Sequence, residues 1–428
     1  MAYLPPHKRH SNASTPAPTP APPPPSLSSS LRSLSLSSSP RGRHHRGATT
    51  RPSSKIVHAA GCVSRWSTLP PFPDDDGDDD GSLRLEPFPC DPIERRTGAK
   101  PLALVSSSAA EASSPCSAAA AASTVTERFL PDLLAAAGRA KAGDVPEEEE
   151  EVKLSVVARV GKVLFESSGG GSPVSMNSLR EAVKAGEEGS RSNLHKSFYT
   201  NVPSECLDDM ERSAAEKMGL EFDSSKEHYH VKVFDKRQSD STITCKCTVQ
   251  EDGKLAIHKV CLTAYPLNYY QVQLNQVRHL VEDISCLFKD LDLRLMLSTK
   301  RILKNLDAEV ENAINCLVSS AVIDPDVKGG LRWPLGKESI DERFSIVGVW
   351  HTNYKAFRNE KLRLKLRHAD RFDHRSSTGE VSNEVTFKLI GISASLEAVD
   401  QEANSLQEML ESVVGMIWES GLSYKKAP

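Results

Sequence analysis

Residues 290–300 read Asp-Leu-Asp-Leu-Arg-Leu-Met-Leu-Ser-Thr-Lys. In an extended chain Leu291, Leu293, Leu295 and Leu297 fall on one side, and Asp292, Arg294, Met296 and Ser298 on the other. A period of two marks a β-strand with one apolar and one polar face; on a helix the same leucines would scatter around the circumference. The fold must therefore cover four leucines on one side of a sheet. It must also give the polar side either water or a site to line.

The same patterning runs through the C-terminal two thirds of the 428 residues. Residues 152–165 are rich in β-branched residues and read as a strand, bent at Gly161. Two more strands, 228–234 and 242–249, flank a polar turn, and a third, 254–264, follows Asp252-Gly253, a hairpin signal. Residues 342–351, 361–367 and 383–392 add three strands. Helices are expected at 178–187, 203–218, 268–287, 303–319 and 396–420, where apolar residues recur at helical spacing. The helices 303–319 and 396–420 are the expected cover for the leucine face. Roughly eight strands, mostly antiparallel, with flanking helices define an α+β domain, expected over 148–428, rather than a βαβ array.

Residues 1–147 contrast with this. Up to Pro73 there is no Asp or Glu, while Arg32, Arg41, Arg43, Arg46 and Arg51 recur among Ser and Pro. Such composition buries too little apolar surface to offset chain entropy, so 1–147 is expected to be disordered. The runs Asp74–Asp80 and Glu147–Glu151 reverse the charge and read as solvated spacers. Residues 126–142 carry one helical stripe (Phe129, Leu130, Leu133, Leu134) interrupted by Pro131. The first ten residues, Met-Ala-Tyr-Leu-Pro-Pro-His-Lys-Arg-His, contain no apolar h-region. Tyr3, Pro5, Pro6, His7 and Arg9 place an aromatic and a cation beside rigid prolines, a pre-ordered peptide ligand for a groove on a protein partner. This element resembles a short motif in the disordered N-termini of some DEAD-box RNA helicases. It also resembles the opening of a plant protein family of unknown function. The acid-free, Ser/Arg-rich composition keeps open a cleaved plastid transit segment, set against a cytoplasmic or nuclear location. Nine scattered cysteines point to free thiols in a reducing compartment, and no apolar run is long enough to cross a bilayer.

Chemistry is sparse. No nucleophile elbow, kinase set or His-Glu-x-x-His occurs, and the loop 167–172 lacks the Gly-Lys-Ser/Thr of a phosphate-cradling loop. No cofactor is called for. His228, His230, Cys245 and Cys247 lie on neighbouring strands and would form a zinc site if the register brought all four to one face. Lys361, Arg363, Lys365 and Arg367 alternate with leucines. Such a stripe is a polyanion surface, or, as composition favours, a solvated edge strand protected by charge.

Taken together, these strands resemble the fungal-type metal-dependent RNA triphosphatases. The carriers are Ser155–Gly161, Asp292–Ser298, Asp341-Glu342-Arg343-Phe344-Ser345 and Glu384–Lys388. The resemblance implies an antiparallel β-barrel tunnel lined by charge, with alternating glutamates of the first and last strands holding a divalent metal. Of those positions only Glu384 is acidic; Ser155, Val157, Thr386 and Lys388 hold the others. One carboxylate does not hold a hard divalent cation in octahedral oxygen geometry. The family's tunnel cations correspond to Arg159, Arg294 and Arg343, with Lys365 a further member. The expectation is a non-enzymatic protein that binds RNA or another phosphate-rich ligand, or acts as a scaffold. The rival is a diverged phosphohydrolase using Asp292, Asp341 or Glu342.

Overall fold

The computed structural model describes residues 57–71, 83–106, 116–143, 150–167, 174–185, 194–238, 242–263, 276–303, 308–398 and 403–424. All belong to one compact unit, Pro52–Pro428. Its first half runs β1 (Val57–Leu69), β2 (Leu83–Pro87), α1 (Asp91–Thr97), β3 (Leu102–Ser106), α2 (Ala118–Gly143), β4 (Glu150–Ser167), α3 (Met176–Ala185) and β5 (Leu194–Tyr199). Helix α4 (Ser204–Asp209) continues through a π-helical turn into α5 (Ala215–Lys217), then β6 (Glu221–Asp235), β7 (Thr242–Val249) and β8 (Leu255–Thr263). The second half runs β9 (Gln276–Cys286), β10 (Asp292–Leu303), α6 (Ala308–Ser319), β11 (Val322–Ile323), β12 (Leu331–Arg332) and β13 (Ser339–Ile340). It ends with β14 (Phe344–Arg358), β15 (Leu362–Asp373), β16 (Thr378–Leu389), α7 (Ile390–Glu397) and α8 (Ala403–Ser420).

The leucine-rich stretch is β10, at the centre of the leucine core. It pairs antiparallel with β4, setting Leu293, Leu295 and Leu297 against Val160, Ala158 and Val156, and with β9 on its other side. The large sheet has 14 strands, with the main path β1-β9-β10-β4-β16-β15-β14-β6-β7-β8. Its pairings are antiparallel except β1 with β9. Among the described residues the path ends at β1 and β8 without closing, so the α+β class holds while the strand count exceeds eight and the barrel is open.

One face of the sheet is apolar and helix-covered. Leu293, Leu295 and Leu297 are buried in a single cluster with Phe129 and Leu133 of α2 and with Leu410, Val413, Val414, Ile417 and Trp418 of α8. Helix α6 does not cover the leucines. Its Ala313, Ile314, Leu317 and Val318 pack in a second cluster with Val231 and Val233 of β6, Ile243 and Cys245 of β7 and Val349 of β14. The missing cover is α2, which lies in the region expected to be disordered. Its alanines keep the helix slim enough for Ala121, Ala122, Ala136 and Ala137 to be buried in the leucine cluster. Strand β1, from the same region, extends the sheet beyond β9. The described residues between 57 and 143 thus contribute to the core, well before Val152. Tyr3, Pro5, Pro6, His7 and Arg9 lie outside the described residues.

Residues 276–286, expected to be helical, form β9. Val277, Leu280, Val281 and Ile284 have helical spacing. A bulge shifts the register between Leu280 and Arg278, which scrambles the alternation that would have marked a strand. Strand β15 also differs from expectation: it lies between β14 and β16, not at an edge.

Gly161 lets β5 cross onto β4. A Cβ at this position would lie 2.1 Å from the Tyr199 carbonyl oxygen and 2.8 Å from a Phe198 ring carbon. Gly161→Ala is expected to destabilise by about 1–3 kcal/mol, the usual range for overpacking. A urea midpoint equal to the parent's would show that β5 yields freely.

Candidate functional site: a cation-rich sheet face

The face opposite the helices is polar, and the strand register places its side chains. Arg159 of β4 stands opposite Arg294 of β10 and Thr386 of β16. Thr386 faces Lys365 of β15, Glu384 faces Arg367, and Arg367 faces Tyr354 of β14. Trp350 of β14 faces Arg371 on one side and His230 of β6 on the other, and His230 faces Lys246 of β7. Directly opposed residues share a sheet face, so these groups form one band across seven neighbouring strands. Arg278 of β9 joins it opposite Ser298.

Two buried carboxylates compensate part of this charge. Asp283 of β9 accepts two bonds from the Arg294 guanidinium, Nε to Oδ1 at 2.5 Å and Nη2 to Oδ2 at 2.8 Å, and pairs with Lys196 Nζ at 2.9 Å. Burial opposes its ionisation, but Arg294 and Lys196 outweigh that and hold its carboxyl below the usual range. Glu384 of β16 accepts bonds from Arg367 and, at 2.5 Å, from Arg371. Burial pushes its carboxyl up, yet the two arginines win and hold it at about 2.

Other cations remain uncompensated. Arg159 has no carboxylate within ion-pair distance among the described residues, and its buried Nε has no hydrogen-bond partner. Burial lowers its pKa, Glu384 offsets this in part, and Arg367, Arg294 and Arg371 add repulsion. Arg278 is likewise without an ion pair among the described residues, and burial, then Arg294 and Arg159, bring it down to about 10. Lys365 Nζ sits 3.4 Å from the Tyr354 ring centroid. Burial, then Arg367, Lys246, Arg363 and Lys300, bring it to about 7. His230 stacks on Trp350 with ring centroids 4.8 Å apart. Burial, then Lys246 and Arg367, depress it to about 3, so it stays neutral at pH 7.

The structure brings Arg159, Arg294 and Lys365 onto this one face. Arg343 is elsewhere. It precedes β14, donates to Asp235 at 3.0 and 2.9 Å and to Glu309 of α6 at 2.6 Å, and so ties α6 to the end of β6. Arg294 is on the face but already neutralised by Asp283. The zinc arrangement is not formed: His230 pairs across from Lys246, whereas Cys245 faces Val231 and Cys247 faces Tyr229. The histidines therefore point to the polar side and the cysteines into the α6 cluster. Asp292 does not serve the face either. It is buried and accepts the backbone N–H groups of Val163 and Cys286 at 2.8 and 3.0 Å, locking the β9–β10 turn against β4. Asp341 and Glu342 are exposed turn residues with φ of 48° and 50°.

Part of this face is apolar. Val157 faces Met296, Met296 faces Val281, and the three form a separate buried cluster. Lys388 stands on the other side of Val157. A valine, a lysine and a carboxylate already held by two arginines do not make a hard-cation site.

Arg278 lies in a segment whose spacing reads as helical, and Arg371 lies beyond the alternation that marks the strand at 361–367. Arg363 and Arg367 were visible as a stripe, but their burial depends on β14 and β16.

The fold and face define a strand-rich α+β protein whose large sheet carries helices on one side and an excess of cations on the other. The chain belongs to the family described as Domain of unknown function (DUF7903), whose model matches residues 50–421. No curated protein matches the chain. Among solved structures it is distantly similar to the S. pombe Pct1 RNA triphosphatase in complex with the Spt5 CTD, with 7% identity and a TM-score of 0.42 over 70% of this chain and 94% of that one. A second structure of the S. pombe Pct1 RNA triphosphatase matches at 7% identity and TM-score 0.37, covering 69% and 90%. A putative adenylate cyclase from Bacillus halodurans matches at 12% identity and TM-score 0.22, covering 54% and 90%. No helix among the described residues is long and apolar enough to cross a membrane.

Proposed function

We propose that the polar sheet face binds a phosphate-rich polyanion, RNA or another phosphorylated ligand, and acts by binding rather than by metal-dependent hydrolysis. The observation that carries this reading is Arg159: a half-buried guanidinium repelled by Arg367, Arg294 and Arg371, only partly offset by Glu384, with a buried Nε that meets no hydrogen-bond partner among the described residues. Proteins rarely keep an uncompensated buried charge unless something supplies the counter-charge. Arg278 and Lys365 extend the same deficit along the face, leaving three cations for successive phosphate groups. Guanidinium groups suit phosphate because their planar forks donate two parallel bonds.

The reading predicts opposite signs for stability and binding at Arg159. Arg159→Met removes a repelled charge and is expected to raise the urea midpoint of the ligand-free protein. The same change is expected to weaken tripolyphosphate binding by about 10- to 100-fold, the loss of one or two charge-assisted hydrogen bonds. Isothermal titration at low and moderate salt measures both the affinity and its salt dependence. Equal affinity in parent and variant, or a variant that is less stable when free, would make Arg159 a structural residue. Phosphate release from triphosphate-ended RNA that requires manganese or magnesium and disappears in Glu384→Ala would establish hydrolysis instead.

A further inference from the structure

Lys365 differs in kind from the arginines around it. Its amine is half-buried on β15 with Arg363 and Arg367 two positions to either side on the same face. Across the sheet the groups that face it are Thr386 of β16, Ala356 and the Tyr354 ring of β14, His230 of β6, Lys246 of β7 and Lys300 of β10. The carboxylate on the neighbouring strand, Glu384, is tied to Arg367 and Arg371 and does not reach Lys365. No ion pair to Lys365 exists among the described residues. Among these cations the ammonium is destabilised twice, by lost hydration and by repulsion, and the attraction of the Tyr354 ring face works against both. Arginine cannot respond by losing its proton, whereas lysine can.

We propose that Lys365 is a nucleophilic amine that forms an imine with small aldehydes or ketones bearing a phosphate or other anionic group. This inference rests on the polyanion reading of the same face and narrows its ligand class. The anionic group is held by the neighbouring arginines, which brings the carbonyl carbon to Nζ. In the bond-forming step the neutral amine lone pair attacks the carbonyl carbon and the carbonyl oxygen takes up a proton, giving a carbinolamine. Loss of that oxygen as water leaves a C=N bond between ligand and Lys365. No oxidant or metal is needed. A lysine next to other cations is a known way of making an amine reactive at neutral pH. With a pKa of about 7, half of the Lys365 amine is neutral at pH 7; an ordinary lysine, near 10.4, has well under about 0.1% in that form.

The test treats the full chain with pyridoxal 5′-phosphate, reduces the imine with borohydride and maps the adduct by peptide mass spectrometry. The expected result is labelling of Lys365 on the order of 100-fold faster than of surface lysines at pH 7. Its rate should rise with pH to a plateau just above 7, and unphosphorylated pyridoxal should react much more slowly. Lys365→Arg should abolish this adduct, because a guanidinium stays protonated at neutral pH and offers no free amine. Labelling spread evenly over surface lysines, or a Lys365 rate that rises only above about pH 9, would overturn the proposal. Tripolyphosphate binding without a Lys365 adduct defeats the amine and leaves the polyanion reading standing. Fast Lys365 labelling that is the same for pyridoxal with and without phosphate, and is unprotected by tripolyphosphate, defeats the anionic part of both.

Discussion

Glu384→Gln is expected to lower the stability of the protein by about 3 kcal/mol while tightening its hold on polyanions. Glu384 is the anion for Arg367 and Arg371, and its field also reaches Arg159. With glutamine in place, three guanidinium groups face one another with no counter-charge, and a phosphate group becomes their only relief. The pH dependence has a definite sign. The folded-state carboxyl sits at about 2, below the ordinary value of 4.5. Its stabilisation is therefore fully present above about pH 5 and is lost as pH falls toward 2. Urea midpoints of parent and variant should differ by a constant amount above pH 5 and converge in acid. Added tripolyphosphate should narrow the gap at neutral pH by mass action. A variant as stable as the parent at pH 7 would mean that the two arginines reach water without Glu384.

Asp283→Ala carries the second large effect, a loss of about 3–5 kcal/mol. The Asp283 side chain is 1% exposed, and both Arg294 and Lys196 depend on it. Arg294 lies under the Phe198 ring, 4.5 Å from its centroid, and cannot turn outward without displacing β5. Removing the carboxylate therefore leaves a buried guanidinium unpaired, which costs far more than the pair contributes when intact. Asp283→Leu combined with Arg294→Met should recover most of the loss, because a well-packed apolar pair substitutes for a buried ion pair. If the double variant is no more stable than Asp283→Ala, the decisive partner is Lys196. The two carboxylates thus have distinct duties: Asp283 fastens β5 over β9 and β10, and Glu384 restrains the arginines beside Arg159.

Much of the sheet was legible along the chain. Alternation at 290–300, 361–367 and 383–392 marks β10, β15 and β16 because a strand with one buried face must repeat every second residue. Helix α8 was legible for the matching reason at helical spacing. Three features were not. The bulge in β9 breaks its alternation, so Val277, Leu280, Val281 and Ile284 mimic a helix and conceal Arg278. The stripe at 126–142 shows the C-terminal part of α2, but its first turns hide among alanines, whose small side chains look like low complexity until a neighbour such as Trp418 or Leu410 packs over them. The pair His228, His230 and the pair Cys245, Cys247 were each assigned a common face, but their relative phase depends on how β6 pairs with β7. A one-residue slip of register moves every side chain to the other face.

The candidate site divides in the same way. Which residues can carry charge on the polar face follows from sequence, since period two puts Arg294 with Asp292 and Met296, and Lys365 with Arg363 and Arg367, whatever strands lie beside them. Which of those charges is compensated does not. Arg294, Arg343 and Arg159 look alike along the chain, yet tertiary pairing gives Arg294 to Asp283, gives Arg343 to Asp235 and Glu309, and leaves Arg159 with no ion pair among the described residues. The sequence alone determines the faces because side-chain direction is a local property of an extended backbone. The fold alone decides the electrostatics, because a charge's free energy depends on groups within a few ångströms that can be more than a hundred residues away.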